Sequence, residues 1–351
     1  MKYPQFLKVY NQKNIIKYNQ KDCIGIIAPS KGIIEKVKLN RLDNAIKNME
    51  EKGFHIIEGK NIRKCENGRS ASVKDRVTEI EEMFLNKNIK YISCVSGGDY
   101  LKEILPYINY KVIDDNPKWI QGYSDPTGLL YVITTKLDIA TIYSNNFCSY
   151  GMNILHESLE NNIKILCGEN IVQKTYHKFE NGYTDYITGL EEYNLSNKSK
   201  CESLNNNSNI NLKGRIIGGC TDVLLDIVNT EMDYTKDFLN RYNNENIIWY
   251  FDNFDIDENN IYEALNTLYK AKWFKNISCM LFGRNTKDKD YVTDKFKLEV
   301  KRFLTNFNIN IPVILDVDIG HKAPQFTIVN GSVVKLNYEN NKIELESVFL
   351  N

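Results

Sequence analysis

The sequence predicts an α/β protein with two domains and an active site in the cleft between them. Three observations lead to this prediction. Short apolar runs alternate with helical periodicity in the first half of the chain, a polar stretch interrupts the pattern near the middle, and strands mix with helices again beyond it. Because strands that alternate with helices of about 10 to 15 residues form βαβ units, we expect mostly parallel sheets flanked by helices.

The first half supplies the elements of an N-terminal domain. Predicted strands lie at 24–28, 55–57, 91–95 and 119–123. Predicted helices lie at 37–52 and 72–86, followed by a short helix that ends before Pro106 and a helix that Pro126 opens. Apolar residues of 72–86 recur at helical spacing, as expected of a helix that packs one face on a sheet.

The second half predicts another α/β unit with a β-rich end. Its strands are expected at 247–251, 279–282 and 312–315, its helices near 259–271 and 291–304, and its final strands at 326–329, 332–336 and 343–348. Between the halves the sequence is rich in Asn and Lys and shows no periodicity. The predicted boundaries are therefore 1–168 for the N-terminal domain, 169–212 for a polar linker or lid, and 213–351 for the C-terminal domain.

Composition excludes several classes of function. The chain has 351 residues with 45 Lys and Arg against 45 Asp and Glu, so it has no net charge to hold nucleic acid or an anionic membrane. The N-terminus has no apolar core of a signal peptide, and no apolar stretch approaches the ~18 residues of a membrane span. We expect a cytoplasmic protein.

Metal and disulfide chemistry are not predicted. The eight cysteines are scattered without a CxxC pair, and the four histidines include no HExxH motif. Such cysteines are typical of small buried side chains in a reduced protein. We treat His55, His156 and His177 as structural residues, and no cofactor or metal is expected.

Ser124 is the candidate nucleophile. It lies between the predicted strand 119–123 and the helix that Pro126 opens, where a side chain is exposed beside the free N–H groups of a helix start. Those N–H groups could form part of an oxyanion hole. The segment lacks the GxSxG signature, and Ser124 or Asp125 could instead simply cap the helix.

Gly97 and Gly98 follow the predicted strand 91–95. Glycine lets the backbone approach a ligand closely, so the pair could form the other half of an oxyanion hole. It could also be a plain strand-to-helix turn. A phosphate cradle is disfavoured because neither GxxxxGK[ST] nor GxGxxG occurs here.

His321 is the candidate general base, because it follows a predicted buried strand in a turn rich in Asp and Gly. A surface histidine with no role is the alternative. An acidic partner that orients it should end another strand. Asp252 ends the apolar run 247–251, and Asp255 follows three residues later.

Seven blocks in order resemble the LD-carboxypeptidase family of serine peptidases, which includes the microcin-immunity peptidases. They are IGIIAPSKG (24–32), residues 75–110, KWIQGYSDPTGLL (118–130), GRIIGGCTDVL (214–224), IIWYFDNFDI (247–256), LFGR (281–284) and PVILDVDIGHKAPQFTIVNG (312–331). The resemblance spans almost the whole chain. The order of the blocks is far more specific than any single motif.

The resemblance implies a Ser, Glu, His triad split between the two domains. Ser124 matches the family's nucleophile, and His321, in its D-x-G-H-x-x-P setting, matches the base. The N–H groups of Asp125 and of Gly97 or Gly98 match the oxyanion hole. The family cleaves the bond between an L-centre and a terminal D-amino acid in muropeptide recycling, or an acyl-linked nucleotide antibiotic in the immunity branch, and it implies a homodimer.

The chain departs from the family at the acid, where Asp252 stands in place of Glu. Asp is shorter by one methylene, about 1.5 Å of reach, and a misplacement of about 1 Å can cost on the order of a hundredfold in rate. Three outcomes stay open: a working triad with Asp252, an acid recruited from Asp255, or a degenerate member that binds without cutting.

The expected activity is serine-type hydrolysis of a muropeptide at its C-terminal D-Ala, with no cofactor. The alternatives are cleavage of an aminoacyl-nucleotide-like toxin and non-catalytic binding of cell-wall peptides. The toxin activity would need cleft residues that hold a nucleobase or phosphate, for which the available side chains are Trp249, Tyr250, Trp273 and Arg284.

Overall fold

The computed structural model describes residues 1–8, 22–182, 184, 186–288 and 290–349. The strands are β1 (Cys23–Ile27), β2 (His55–Glu58), β3 (Ile89–Cys94), β4 (Trp119–Gly122), β5 (Thr141–Tyr143), β6 (Val172–Lys174), β7 (Lys178–Glu180), β8 (Leu195–Lys198), β9 (Glu202–Ser203), β10 (Asn209–Cys220), β11 (Ile247–Asp252), β12 (Ile277–Gly283), β13 (Val313–Val317), β14 (Ile328–Asn330), β15 (Val333–Glu339) and β16 (Lys342–Val348). The helices are α1 (Lys36–Glu51), α2 (Val73–Leu85), α3 (Tyr110–Asp115), α4 (Thr127–Leu137), α5 (Glu157–Leu166), α6 (Thr221–Ile227), α7 (Thr235–Arg241), α8 (Ile261–Lys270) and α9 (Asp294–Asn306).

The first sheet has the strand order β14-β5-β4-β3-β1-β2. Its five N-terminal strands are parallel, while β14 joins the edge antiparallel to β5. All residues of β1 are buried, as expected of a strand in a parallel sheet covered on both faces. The α/β class and the parallel sheet are thus confirmed, with one strand contributed by the far end of the chain.

The second sheet has the order β6-β16-β15-β10-β11-β12-β13-β9. Its centre, β10 to β13, is parallel, and the remaining neighbours pair antiparallel. Because β13 lies in this sheet and β14 in the first, the chain between them crosses from one sheet to the other. That crossing carries His321.

Helix α4 lies between the two sheets. It contacts β4 and β5 of the first sheet and β10 of the second, and residues 127–135 are all buried. Its apolar sequence has no polar face because it has no solvent side. Ser124, just before α4, is therefore held at the junction of the two sheets.

The segment 169–212 is not irregular, contrary to the sequence prediction. It contains β6, β7, β8 and β9 and the start of β10. Strands β6 and β9 pair at opposite edges of the second sheet, and β7 pairs with β8. Edge strands keep one side in solvent, so their polar composition gives little sequence signal. The predicted domain boundaries stay a prediction.

Other boundaries agree within a few residues, with one exception. The predicted short helix before Pro106 consists of two 3-10 turns, Leu101–Glu103 and Leu105–Tyr107, and the second includes Pro106. Proline fits the first positions of a helical turn because no N–H is required there. None of the helices in the described ranges is long and apolar enough to cross a membrane.

Candidate active site

Ser124 occupies a strained turn between β4 and α4. Its φ of 67° is a left-handed value that non-glycine residues rarely adopt, and its side chain is half-buried. The N-cap residue of α4 is Pro126, and among the described residues no side chain caps the helix by a hydrogen bond. The structure therefore does not support the alternative that Ser124 or Asp125 caps α4.

Asp125 holds the surrounding loops instead. Its buried carboxylate accepts hydrogen bonds from Ser30 Oγ and, at 2.9 Å, from the N–H of Leu101. Burial raises the pKa of this carboxyl. The side chain thus ties the loop after β1 and the turn before α3 to the Ser124 turn, and its backbone N–H stays beside Ser124.

Gly97 lies against Ser124, and Gly98 lies against Ser30. A Cβ atom on Gly97 would lie 3.1 Å from Ser124 Oγ and 3.9 Å from the Asp125 nitrogen. At Gly98 a Cβ would lie 2.1 Å from Ser30 Oγ, at a φ of +153°. Only glycine allows this close approach. Gly97 and the Asp125 nitrogen are therefore neighbours beside the serine hydroxyl, and Gly98 lies next in the chain, against Ser30.

Asp252 and His321 form a buried pair. Asp252 is the last residue of β11 and is fully buried, and its Oδ2 and Oδ1 lie 2.8 Å and 3.0 Å from Nδ1 of His321. The backbone N–H of His321 also donates to Oδ1, at 3.3 Å. The shorter acid therefore reaches the histidine directly.

Two residues that the sequence analysis did not single out complete this pair. Gly320 has a φ of +90°, and a Cβ there would lie 1.9 Å from Asp252 Oδ1, so glycine lets the histidine loop lie directly on the carboxylate. Tyr143, at the end of β5, donates its hydroxyl to Asp252 Oδ2. Burial and the nearby Asp252 charge raise the pKa of Tyr143, which keeps this donor protonated. A tyrosine in a strand gives no sequence signal of this role.

Aromatic rings enclose the imidazole of His321. The ring centroid of Tyr123 lies 5.0 Å from that of His321, and the ring centroid of Phe254 lies 4.7 Å from it. The other ring nitrogen, Nε2, is buried and has no hydrogen-bond partner among the described residues. Nδ1 is thus engaged by Asp252, and Nε2 is left for another group.

Two cavities meet at Tyr123. One, of about 630 Å³, is lined by His321, Gly320 and Gln325, and the other, of about 320 Å³, by Gly97 and Gly98. Tyr186, from the segment 169–212, lines both. That loop is fixed to α1 through buried Arg41, which donates to the carbonyls of Gly189 and Glu191 at 3.0 Å and 2.9 Å. Tyr186 and the contacts of Arg41 thus place part of this segment at the two cavities.

Several candidates lie apart from this centre. Asp255 is 67% exposed and pairs with Lys287 at 3.3 Å, so it does not serve His321 in place of Asp252. His156 caps α5 by accepting from the N–H of Ser158 at 3.1 Å, and burial lowers its pKa. His55 and His177 are exposed.

The four side chains that the sequence offered for holding a nucleobase or phosphate do not lie at the surface of the cleft. Trp249, Tyr250, Trp273 and Arg284 are all buried. The two tryptophan rings stack on each other at 5.5 Å, and Arg284 pairs with Asp318 at 2.7 Å. These four side chains are therefore part of the protein interior, where large aromatic residues are commonly buried.

No metal centre is evident among the residues that the structure describes, because they include no group of three or more His, Cys, Asp or Glu side chains that could hold a metal ion. The side chains gathered here are a hydroxyl, an imidazole and a carboxylate, beside glycine and aspartate N–H groups. This set can support general base and nucleophilic chemistry.

Family models match both halves of the chain. Residues 24–144 match the model described as the LD-carboxypeptidase N-terminal domain, and residues 213–336 match the LD-carboxypeptidase C-terminal domain. Among curated proteins, the microcin C7 self-immunity protein MccF of Escherichia coli is 26% identical over 94% of this chain and 94% of its own length.

Solved structures share the fold. MccF in complex with aspartyl sulfamoyl adenosine aligns with a TM-score of 0.77 at 23% identity, over 99% of this chain and 100% of the other. A muramoyltetrapeptide carboxypeptidase from Oxalobacter formigenes aligns with a TM-score of 0.71 at 17% identity, over 93% of this chain and 99% of the other. Both likenesses show the architecture.

Proposed function

The chain belongs to the LD-carboxypeptidase family of serine peptidases, and from this premise we propose that it is an LD-carboxypeptidase that releases a C-terminal D-amino acid, D-Ala, from cytoplasmic muropeptides. In this proposal Ser124 is the nucleophile, His321 the general base and Asp252 the residue that orients the histidine. The N–H groups of Asp125 and of Gly98 or Gly97 form the oxyanion hole.

One observation carries the proposal. His321 Nδ1 is engaged by the buried Asp252 carboxylate at 2.8 Å, while its Nε2 has no partner among the described residues, and the ring packs on Tyr123, next to Ser124. A base that removes a serine proton needs this arrangement: one nitrogen donating to an acid and the other available as acceptor. A buried Nε2 without a partner is costly in a histidine whose role is only structural.

The first half of the reaction forms an acyl-enzyme. His321 accepts the Ser124 proton at Nε2 as the hydroxyl attacks the carbonyl carbon of the scissile bond. The developing oxyanion accepts hydrogen bonds from the N–H groups beside Gly97, where the absence of a side chain leaves space next to Ser124 Oγ. Asp252 stabilises the imidazolium that forms.

His321 then returns its proton to the leaving amine, and the scissile C–N bond breaks, so that the free D-amino acid departs and the acyl-enzyme remains. In the second half water enters, His321 removes one of its protons, and the hydroxide attacks the acyl carbon. His321 gives that proton to Ser124 Oγ as the bond between this oxygen and the acyl carbon breaks, which releases the shortened peptide and restores the hydroxyl. No step needs a metal or cofactor.

A second candidate function is cleavage of an aminoacyl-nucleotide-like toxin. The observation that favours it is the similarity to a microcin self-immunity protein, whose structure holds aspartyl sulfamoyl adenosine. The burial of Trp249 and Trp273 weakens it, because neither ring can stack on a base in the cleft. Tyr123 and Tyr186 are the aromatic residues that line both cavities instead.

A non-catalytic binder is the third candidate, motivated by Asp in place of the family's Glu. The contact of Asp252 with His321 removes most of that motive, since both carboxylate oxygens lie within hydrogen-bond distance of Nδ1. The cytoplasmic location remains a prediction from the sequence, and the homodimer remains an implication of the family resemblance.

The decisive experiment is mass spectrometry of a tetrapeptide ending in D-Ala, with L-Lys or diaminopimelate at the third position, incubated with the protein or with Ser124→Ala. We expect free D-Ala with the parent protein only. Parallel incubation with aspartyl sulfamoyl adenosine tests the second candidate. Cleavage of that compound alone would move the assignment to the immunity branch, and binding of the peptide without any product would support the non-catalytic binder.

A further inference from the structure

Three side chains that line the larger cavity each carry a buried polar atom without a partner among the described residues. Asn145 Nδ2, Gln325 Oε1 and His321 Nε2 all belong to side chains that line it, and none is hydrogen-bonded within the portion of the chain with described positions. The three residues are 3%, 2% and 7% exposed. Buried polar groups are almost always satisfied, because an unmade hydrogen bond is costly. A ligand that supplies the missing partners would remove this cost.

The orientation of Asn145 is set by the fold. Its Oδ1 accepts from the hydroxyl of Tyr193 at 3.1 Å, and its backbone carbonyl accepts from Gln121 Nε2 at 2.7 Å. With Oδ1 engaged, the NH₂ group is the part of the amide left for a ligand. Asn145 therefore offers a donor to the cavity, while Gln325 offers an acceptor.

The mechanism assigns this cavity to the leaving group. The base that takes the serine proton returns it to the leaving nitrogen, so this nitrogen must lie beside His321 Nε2. His321 lines the larger cavity, whereas Gly97 and Gly98 line the smaller one. The residue that departs thus occupies the side that contains Asn145 and Gln325.

Of the charged side chains that line the cavity, Lys36 is exposed, and Glu35, Lys38 and Glu180 are engaged in contacts with other residues. Glu35 pairs with Lys38 at 2.5 Å, and Glu180 accepts from the N–H of Asn194 at 2.7 Å and from Thr184. Burial raises the pKa of Glu180. Besides His321, the buried polar groups left without partners among the described residues that line the cavity are the neutral amides of Asn145 and Gln325.

We propose that Asn145 and Gln325 are specificity-determining residues that bind the main-chain groups of the departing amino acid. Asn145 Nδ2 donates to its free carboxylate, and Gln325 Oε1 accepts from its nitrogen. This inference rests on the proposed function. It predicts a preference for peptides with a free C-terminal carboxylate, because a C-terminal amide lacks the charged acceptor.

The test compares binding of the D-Ala tetrapeptide with its C-terminal amide, by calorimetry on the Ser124→Ala protein. We expect the acid to bind on the order of tenfold more tightly than the amide. Adding Asn145→Asp keeps the acceptor for Tyr193 but replaces the donor by a negative oxygen. It should weaken acid binding by on the order of tenfold and leave amide binding nearly unchanged, so the preference disappears. Asn153→Asp, an exposed position, adds the same charge as a control and should change neither.

Two results would overturn the proposal: equal or absent binding of acid and amide by Ser124→Ala, or a preference that survives Asn145→Asp. A purely structural role of Asn145 would lower both affinities together. The proposed function is tested separately by D-Ala release from the parent protein. If no D-Ala appears while the acid preference depends on Asn145, the subsite stands and the hydrolytic assignment fails.

Discussion

The carboxylate of Asp252 lies 2.8 Å from Nδ1 of His321, although the two residues are 69 positions apart in the chain. Asp252 ends a central strand of the second sheet, and His321 lies on the connection that crosses to the first sheet. The pair therefore forms where the two sheets meet, next to the turn that carries Ser124.

Asp252→Asn should lower kcat by on the order of a thousandfold or more. The amide cannot replace a carboxylate in stabilising the imidazolium and favours the wrong tautomer of His321. Kinetics of D-Ala release measure the loss, with the thermal midpoint as the control for folding. Asp252→Glu should also lower kcat, by about tenfold to a hundredfold, because one more methylene must fit a fully buried site against Gly320. Wild-type activity in the Asn variant would exclude Asp252 as the orienting acid.

Gly320→Ala should destabilise the protein and abolish activity. The new Cβ would lie 1.9 Å from Asp252 Oδ1 in addition to the strain of a φ of +90°. Gly182→Ala is the matched control, since its φ is +95° but no described atom lies within 4 Å of the Cβ position. Chemical denaturation should show a loss of about 1 to 2 kcal/mol at Gly182 and at least about 3 kcal/mol at Gly320. Equal losses would mean that the carboxylate contact contributes nothing.

Tyr143→Phe should reduce kcat by about tenfold with little change in KM, because it removes a hydrogen bond to the Asp252 carboxylate. Tyr250→Phe is the comparison: this tyrosine is also fully buried, its ring centroid lies 5.4 Å from that of Tyr143, and its hydroxyl bonds to Asn330 at 2.9 Å. Steady-state kinetics of the two variants separate the carboxylate contact from burial. The same kcat in both would argue against positioning by Tyr143.

Gly97→Ala should lower kcat/KM by on the order of a hundredfold, because its Cβ would fill the space 3.1 Å from Ser124 Oγ where a substrate oxygen must fit. The fold should tolerate the change better than the reaction does. Parallel measurements of kcat/KM and of the thermal midpoint test this. Full activity in the variant would show that Gly97 does not form part of the oxyanion hole.

We expect the buried carboxyl of Asp316 to make the stability of the folded protein depend on pH. Its Oδ1 accepts from the N–H of Val292 at 3.0 Å, its Oδ2 has no partner among the described residues, and burial raises its pKa to about 6. The folded protein therefore holds this proton at pH values where the unfolded chain, with an ordinary value of 3.8, releases it. The stabilising contribution is complete below pH 3.8 and is lost as the pH rises through about 6.

Asp316→Asn should remove this dependence. The difference between 3.8 and about 6 corresponds to about 3 kcal/mol. Between pH 4 and pH 7, the free energy of unfolding of the parent should thus fall relative to that of the variant by up to this amount. Urea unfolding of both proteins across that range measures the difference. Parallel stability curves would show that Asp316 does not titrate in this way.

Much of the fold and part of the site could be predicted from sequence. The apolar run 24–28 predicted a strand, and the periodicity of 72–86 predicted a helix. Both predictions were possible because the local pattern of apolar residues shows whether an element buries one face or both. The setting of Ser124 between a strand and a helix, and of Asp252 at the end of an apolar run, is local as well. Each can be recognised from a few neighbouring residues.

Tertiary structure alone decided the rest. It brought Tyr143 and Gly320 to Asp252, left Asp255 in solvent, and buried Trp249 in the core. It also paired the polar strands of 169–212, which carry no apolar signal of their own. These outcomes depend on contacts between segments far apart in the chain. The sequence determines which side chains can do chemistry, and the packing of the two sheets determines which of them meet.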